Sequence, residues 1–431
     1  MHVLRCVVTS FRGFERAEVV PRGHVLLVGE PRAGRSDLLA AVGKVFEVDA
    51  SRMDEFDFHN SDVSTDVEIE VTVGNLGSRL EQRFLDHLEF WDSSTATLIE
   101  GVDDPAAIPG DAAPALRLAY RARWDPDEER ADQTTYWPKE SDPSTDDLRR
   151  VTRDDRASFP FVRLAAGRPL SLGARGLLRS SLATQGAEAI ASALKEMTEG
   201  MEGLAARLTA VDAMEEALES VLATLRPYAG VDAPVEYMVR FLPEDGSLSG
   251  FLRSLSPAID LGDALGRLPS ARHGSTTVVQ VMAAEVITPA AKSDAVVAID
   301  DFGDGLDASS AQRLASLMRQ QAAKVWLSTR RPEAARGFDP EELVRLTRAP
   351  EAGAPVRAVH YGRVPATRAE RVATRELHRQ ILPAMTARAL LVGEGPHDSS
   401  ALRRCASPSF PLGESFAVNG GATWTSRTGF A

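Results

Sequence analysis

An α/β fold is what this sequence predicts, and three observations carry that prediction. Short apolar runs of strand length recur along the chain and alternate with segments of helical spacing. One such run leads straight into a glycine-bearing loop followed by an apolar helix, and another ends at two adjacent aspartates. No run reaches the ~18 apolar residues that a membrane-spanning helix needs.

Taken in order, residues 2–9 and 23–28 (GHVLLV) read as strands, and 38–46 has helical spacing. Residues 66–73 (DVEIEVTV) alternate apolar and acidic, the period-two pattern of a half-buried strand, and 116–124 alternate similarly. The stretch 125–156 is acidic, contains proline and is poor in large apolar residues, which predicts an exposed loop or insertion. Residues 187–225 are helical in composition, with a break at 200–203. AVVAI (295–299) reads as a fully buried strand, 309–321 as a helix and KVWLS (324–328) as another strand. A charged helix spans roughly 367–387, and ALLVGEGPHD (389–398) gives a strand turning into a helix near Asp398. The organisation expected is a head over 1–365, with a partly helical insertion at about 125–290, and a smaller C-terminal region over 366–431.

Composition narrows the function classes. A length of 431 residues fits two or three domains. The net charge of −13 argues against a surface coated in positive charge for nucleic acid, although local basic stretches survive. Residues 161–180 carry Arg163, Arg168, Arg175 and Arg179 and no acid, and 363–404 carry eight arginines against four acids. Cys6 and Cys405 are the only cysteines, and the histidines do not form ligand-spaced pairs, so neither a disulfide framework nor a zinc site is expected. The opening MHVLRCVVTSFRGF lacks the regions of a signal peptide, and the chain reads as cytoplasmic, without membrane partners.

The chemistry concentrates in two motifs. GEPRAGRS (29–36) has the spacing G-x-x-x-x-G-K-[ST], with Arg35 where lysine is expected. Glycines let backbone N–H groups wrap phosphate oxygens, a helix N-terminus lies behind them, a cation reaches the β- and γ-phosphates, and a hydroxyl meets Mg²⁺. Gly29, Gly34, Arg35, Ser36 and the following Asp37 are therefore candidate ATP-binding residues. About 260 residues later, VVAIDD (296–301) has the shape of the strand that carries the metal-holding acid in such sites. Asp300 would hold Mg²⁺ through water, beside the Ser36 hydroxyl, and Asp301 sits where a glutamate usually polarises the attacking water.

The ordered set resembles ATP-binding-cassette-type heads, specifically those of the OLD (overcoming-lysogenisation-defect) family and its recombination and repair relatives. Leu306-Asp307 is placed like their D-loop, and Arg272-His273-Gly274-Ser275, with Gln280 following, like their signature motif. That resemblance implies that Gly274, Ser275 and Asp307 face nucleotide bound by a second protomer, so that the heads form a homodimer or higher homo-oligomer. VWLSTR (325–330) is similar to the strand that ends in the family's switch histidine, with Arg330 in its place. Arg35, Asp301 and Arg330 thus depart together from the pattern, and a guanidinium does not copy a lysine's point charge.

ALLVGEGPHD resembles the first motif of the TOPRIM domain that follows the head in OLD nucleases. Glu394 matches its metal-binding glutamate and Asp398 an acid a few residues on, but the 33 residues after Asp398 contain no Asp-x-Asp. A cleavage site needs several converging carboxylates, so the expected product is an ATP-dependent DNA-processing ATPase with an incomplete nuclease site. Its expected partners are DNA, facing Arg168, Arg175 and Arg179, or a protein of a defence or repair complex. The alternative is a nucleotide-sensing scaffold that has lost catalysis, and a transporter-type cassette ranks third.

Overall fold

The computed structural model describes residues 1–48, 52–99, 112–164, 295–304, 306–321, 324–351 and 354–361, with short stretches at 196, 258–260, 265–267, 367–370, 389–393 and 415–419. The chain divides into two compact units, one comprising Met1–Arg168 and Ala271–Ala431, the other Pro169–Ser270.

The first unit contains two large sheets. Strands β1 (His2–Phe11), β2 (Phe14–Val19), β4 (Val67–Gly74), β5 (Glu89–Asp92), β6 (Thr97–Ile99), β7 (Ala112–Asp125) and β8 (Arg130–Tyr136) form an antiparallel sheet in the order β2-β1-β4-β7-β5-β6, with β8 also paired to β7. Alternation decides its faces. Val67, Ile69, Val71 and Val73 of β4 are buried, whereas Glu68 and Glu70 point the other way. On that outer face charges alternate across five strands: Glu18, Arg5, Glu70, Arg117 and Glu89 are joined by successive ion pairs.

The second sheet has the order β15-β14-β3-β13-β12-β9, from β3 (Val25–Gly29), β9 (Phe161–Leu164), β12 (Val296–Ile299), β13 (Lys324–Ser328), β14 (Leu343–Glu351) and β15 (Ala354–Tyr361). All but β15 run parallel. Parallel strands are covered on both faces, which is why β3, β12 and β13 read as unbroken apolar runs. Helix α1 (Arg35–Phe46) packs against strands of both sheets. Leu38, Leu39, Ala41, Val42, Val45 and Phe46 share one core with Val8, Ile69 and Leu118 of the first sheet and Leu27, Val296 and Trp326 of the second.

The expected loop over 125–156 is a correction. Its low apolar content hides a strand, β8, and a short helix, α3 (Arg153–Ser158), which follows α2 (Gly77–Arg83) in chain order. Trp137 is 2% exposed, stacked with His87 and packed against Phe84 and Phe159, so three aromatics close the core that charged neighbours conceal in sequence. From α3, Arg156 donates to the carbonyls of Lys44, Val45 and Glu47 and so closes the C-terminus of α1. Arg163, expected in a basic surface stretch, makes a two-pronged ion pair with Glu47. The hairpin β14–β15 and strand β2 were not legible either.

Within Pro169–Ser270 the described strands are β10 (Ala258–Asp260) and β11 (Leu265–Arg267), an antiparallel pair. The helical reading over 187–225 otherwise lies outside the described residues, Glu196 alone being assigned to a helix. Helices α4 (Ala308–Gln321) and α5 (Pro332–Ala335) flank β13 in sequence. Strand β16 (Ala389–Gly393) forms where expected and pairs in parallel with β17 (Ser415–Asn419). Among the described residues no helix is long and apolar enough to cross a membrane.

Candidate nucleotide site

Because β3, β13 and β12 are parallel neighbours, the loop 29–36, Thr329 and Asp300 emerge at one end of the sheet. β13 and β14 lie on either side of β3, so the chain crosses over it between them. A crevice outside the carboxyl ends of strands, at such a crossover, is where open α/β sheets bind ligands.

The loop is held open by its glycines. Gly34 has φ 99° and Gly29 φ 152°, and Arg32 between them also takes a left-handed backbone at φ 66°. A Cβ at Gly29 would stand 2.2 Å from the carbonyl oxygen of Leu346, and one at Gly34 would stand 2.8 Å from the Phe14 ring. No side chain caps the N-terminus of α1. Its first-turn N–H groups and the positive end of its dipole therefore face the loop. The Glu30 carboxylate accepts from the backbone N–H of Arg348 at 2.7 Å and ties the loop to β14.

Ser36 and Asp300, separated by 264 positions, meet here: Ser36 Oγ donates to Asp300 Oδ1 at 2.8 Å. The same oxygen accepts from the backbone N–H of Asp301 at 3.0 Å and from the hydroxyl of Ser328. No hydrogen bond from the described residues reaches Oδ2. Ser328 is fully buried, and its Oγ also accepts from the Asp301 N–H at 2.8 Å. This hydroxyl carries no signature of its own, although it stands within the strand motif that drew attention to Arg330.

Asp301 has φ 48°, a left-handed conformation that is uncommon outside glycine and that aspartate adopts more readily than most residues. Burial, and then the charge of Asp300, raise its pKa above the ordinary aspartate value, while Arg330 and Arg35 pull it the other way. Arg330 Nε lies 3.5 Å from Asp301 Oδ1, on a side chain that is 70% exposed. Arg35 is not extended toward the loop opening. Its guanidinium is buried and donates to the carbonyl oxygen of Thr329 at 2.6 Å. Burial, and then Arg330, lower its pKa from the usual arginine value.

Asp37 belongs to a different cluster. Its two carboxylate oxygens are held by Arg12, at 3.2 Å, and by Arg357, which also lies over the Phe14 ring. This carboxylate joins the turn after β1, helix α1 and strand β15 rather than opening toward the loop. Arg12 and Arg357 were not singled out in the sequence because nothing in their spacing links them to the loop.

Asp307 is the N-cap of α4: its carboxylate accepts from the N–H groups of Ser309 and Ser310 at 3.0 Å and from the Ser309 hydroxyl, and these hydrogen bonds, the side-chain one from Ser309 foremost, lower its pKa. Gly274, Ser275, Glu394 and Asp398 lie outside the described residues, as do Arg168, Arg175 and Arg179. Among the described residues no three His, Cys, Asp or Glu side chains converge on a common metal position. Ser36 with Asp300 suits a different demand. Mg²⁺ keeps several waters and takes only one or two oxygen ligands from protein.

No family model matches the chain, and no curated protein matches it in sequence. Among solved structures it is similar to an Smc head bound to the C-terminal winged-helix domain of ScpA, at 12% identity and a TM-score of 0.43, over 84% of this chain and 98% of that one. It is also similar to the Smc head domain with an extended coiled coil bound to the C-terminal domain of ScpA from Pyrococcus furiosus, at 12% identity and TM-score 0.43, over 88% and 99% of the two chains. The SMC head domain from Thermotoga maritima is similar at 11% identity and TM-score 0.34, over 84% and 100%. These are loose likenesses.

Proposed function

We propose that this chain is an ATP-binding-cassette-type ATPase head that binds ATP and Mg²⁺ over the loop 29–36. The observation that carries the reading is the Ser36–Asp300 hydrogen bond, which joins the two motifs at the carboxyl ends of parallel strands. The glycine-shaped loop and the uncapped N-terminus of α1 supply donors for phosphate oxygens. Ser36 and Asp300 would hold Mg²⁺, which would supply charge neutralisation for the phosphates when bound. Asp301, whose carboxylate is more basic than usual, takes a proton from the attacking water. Arg35 braces the end of β13 instead of reaching the phosphates as a lysine does.

The finer reading is an OLD-like, DNA-processing ATPase whose heads pair as a homodimer or larger homo-oligomer, with an incomplete TOPRIM-like region after them. The parallel β16–β17 pair supports an α/β C-terminal region, and the arginine-rich stretches support a DNA or protein partner. A second reading, a nucleotide-sensing scaffold in a defence or repair complex, draws on one observation: Arg330 sits against the carboxylate that should accept the proton. Single-turnover ATP hydrolysis with Mg²⁺ separates the two. Slow turnover that disappears in Asp301→Asn supports the ATPase. Tight binding with no turnover supports the scaffold, and failure to bind ATP contradicts both.

A further inference from the structure

Three donors converge on one oxygen of Asp300: the hydroxyls of Ser36 and Ser328 and the N–H of Asp301. Only one of the three, Ser36, is also a metal ligand in the reading above, on which this inference rests. With Mg²⁺ bound, the Ser36 oxygen would give a lone pair to the cation while its O–H still donates to Asp300, so its position would follow the loop 29–36 as well as Asp300. Ser328 has no such second duty. It is fully buried, at the last position of β13, and grips Asp300 Oδ1 while accepting from the N–H of Asp301.

We infer that Ser328 is the positioning residue of the metal site, holding Asp300 by Oδ1 both before and after the cation binds and leaving Oδ2 to face it. Through Oγ it also pins the left-handed turn at Asp301. Asp300 is thus oriented from strand β13, and the loop 29–36 is left free to answer to the nucleotide. Ser328 is fully buried and bonded to Asp300, so its effect is expected on the metal and not on the nucleotide itself. Outer partners of metal ligands typically contribute ~10–100-fold in metal affinity.

The test is a titration of full-length protein with a fluorescent ATP analogue, in EDTA and across a MgCl₂ series, on wild type and Ser328→Ala. The expected result is a Mg²⁺ midpoint raised about tenfold in Ser328→Ala, with metal-free nucleotide affinity unchanged. Equal Mg²⁺ midpoints overturn the inference. So does an equal loss of metal-free and Mg²⁺-dependent binding, because Ser328 is then only structural. If Ser328→Ala fails to fold, Ser328→Cys keeps a similar volume with a much weaker donor, and its Mg²⁺ midpoint is read in the same way. Should wild type bind no nucleotide under either condition, it is the underlying ATPase reading that fails.

Discussion

Gly34 shows how tightly the loop is specified by its neighbours. Its backbone is left-handed, and a methyl group there runs into Phe14 and the Arg357 guanidinium. Gly34→Ala should therefore cost about 1–3 kcal/mol of stability through strain alone and weaken ATP binding as the loop shifts. Urea unfolding and an ATP titration check the two effects. Lys44, on the buried face of α1, offers a second test. Burial, only partly offset by Asp57, lowers its pKa to about 8 from 10.5. Between those values the unfolded chain binds the proton and the folded one does not, so Lys44 contributes stability that rises as pH climbs from about 8 to 10.5. Urea midpoints of wild type should gain on those of Lys44→Met across that window. Parallel pH profiles contradict the shift.

At the scale of elements, the sequence was legible where an element has one dominant signal. β13 matches its expected bounds, and β12, β4 and α4 match within a residue or so, because a buried parallel strand must be apolar throughout and a half-buried one must alternate. The segment 125–156 failed because its order comes from elsewhere. β8 is paired along β7, and α3 presents Arg156 to the end of α1, and neither leaves a periodic apolar trace. Arg156→Ala strips donors from three carbonyls at that helix end and should destabilise the fold by about 2 kcal/mol. Arg156→Lys should recover only part of that, since one ammonium does not match a planar fork. Indistinguishable urea midpoints for wild type and Arg156→Ala contradict the capping role.

For the whole molecule, the motifs gave away the site's position but not its wiring. Ser36 and Asp300 were legible because phosphate and Mg²⁺ chemistry restricts residue type and spacing together. Ser328, Arg12 and Arg357 were not, because each acts through a partner that only the fold brings near. Asp37 and Asp307 matched by spacing, yet their carboxylates are engaged in an arginine clamp and a helix cap. If heads pair across nucleotide, Asp301→Asn with ATP and Mg²⁺ should run at twice the 46.5 kDa chain mass in light scattering. A single-chain mass in ATP, ADP and nucleotide-free buffer contradicts the pairing.

The central claim is that loop 29–36 and Asp300 form one nucleotide site, and equilibrium ATP binding in Mg²⁺ tests it most directly. Wild type should bind, while Ser36→Ala and Asp300→Ala, both still folded by circular dichroism, should each lose at least about tenfold in affinity, on the order of 1.4 kcal/mol. Wild-type protein that binds no ATP, or variants that bind as well as wild type, would contradict the account.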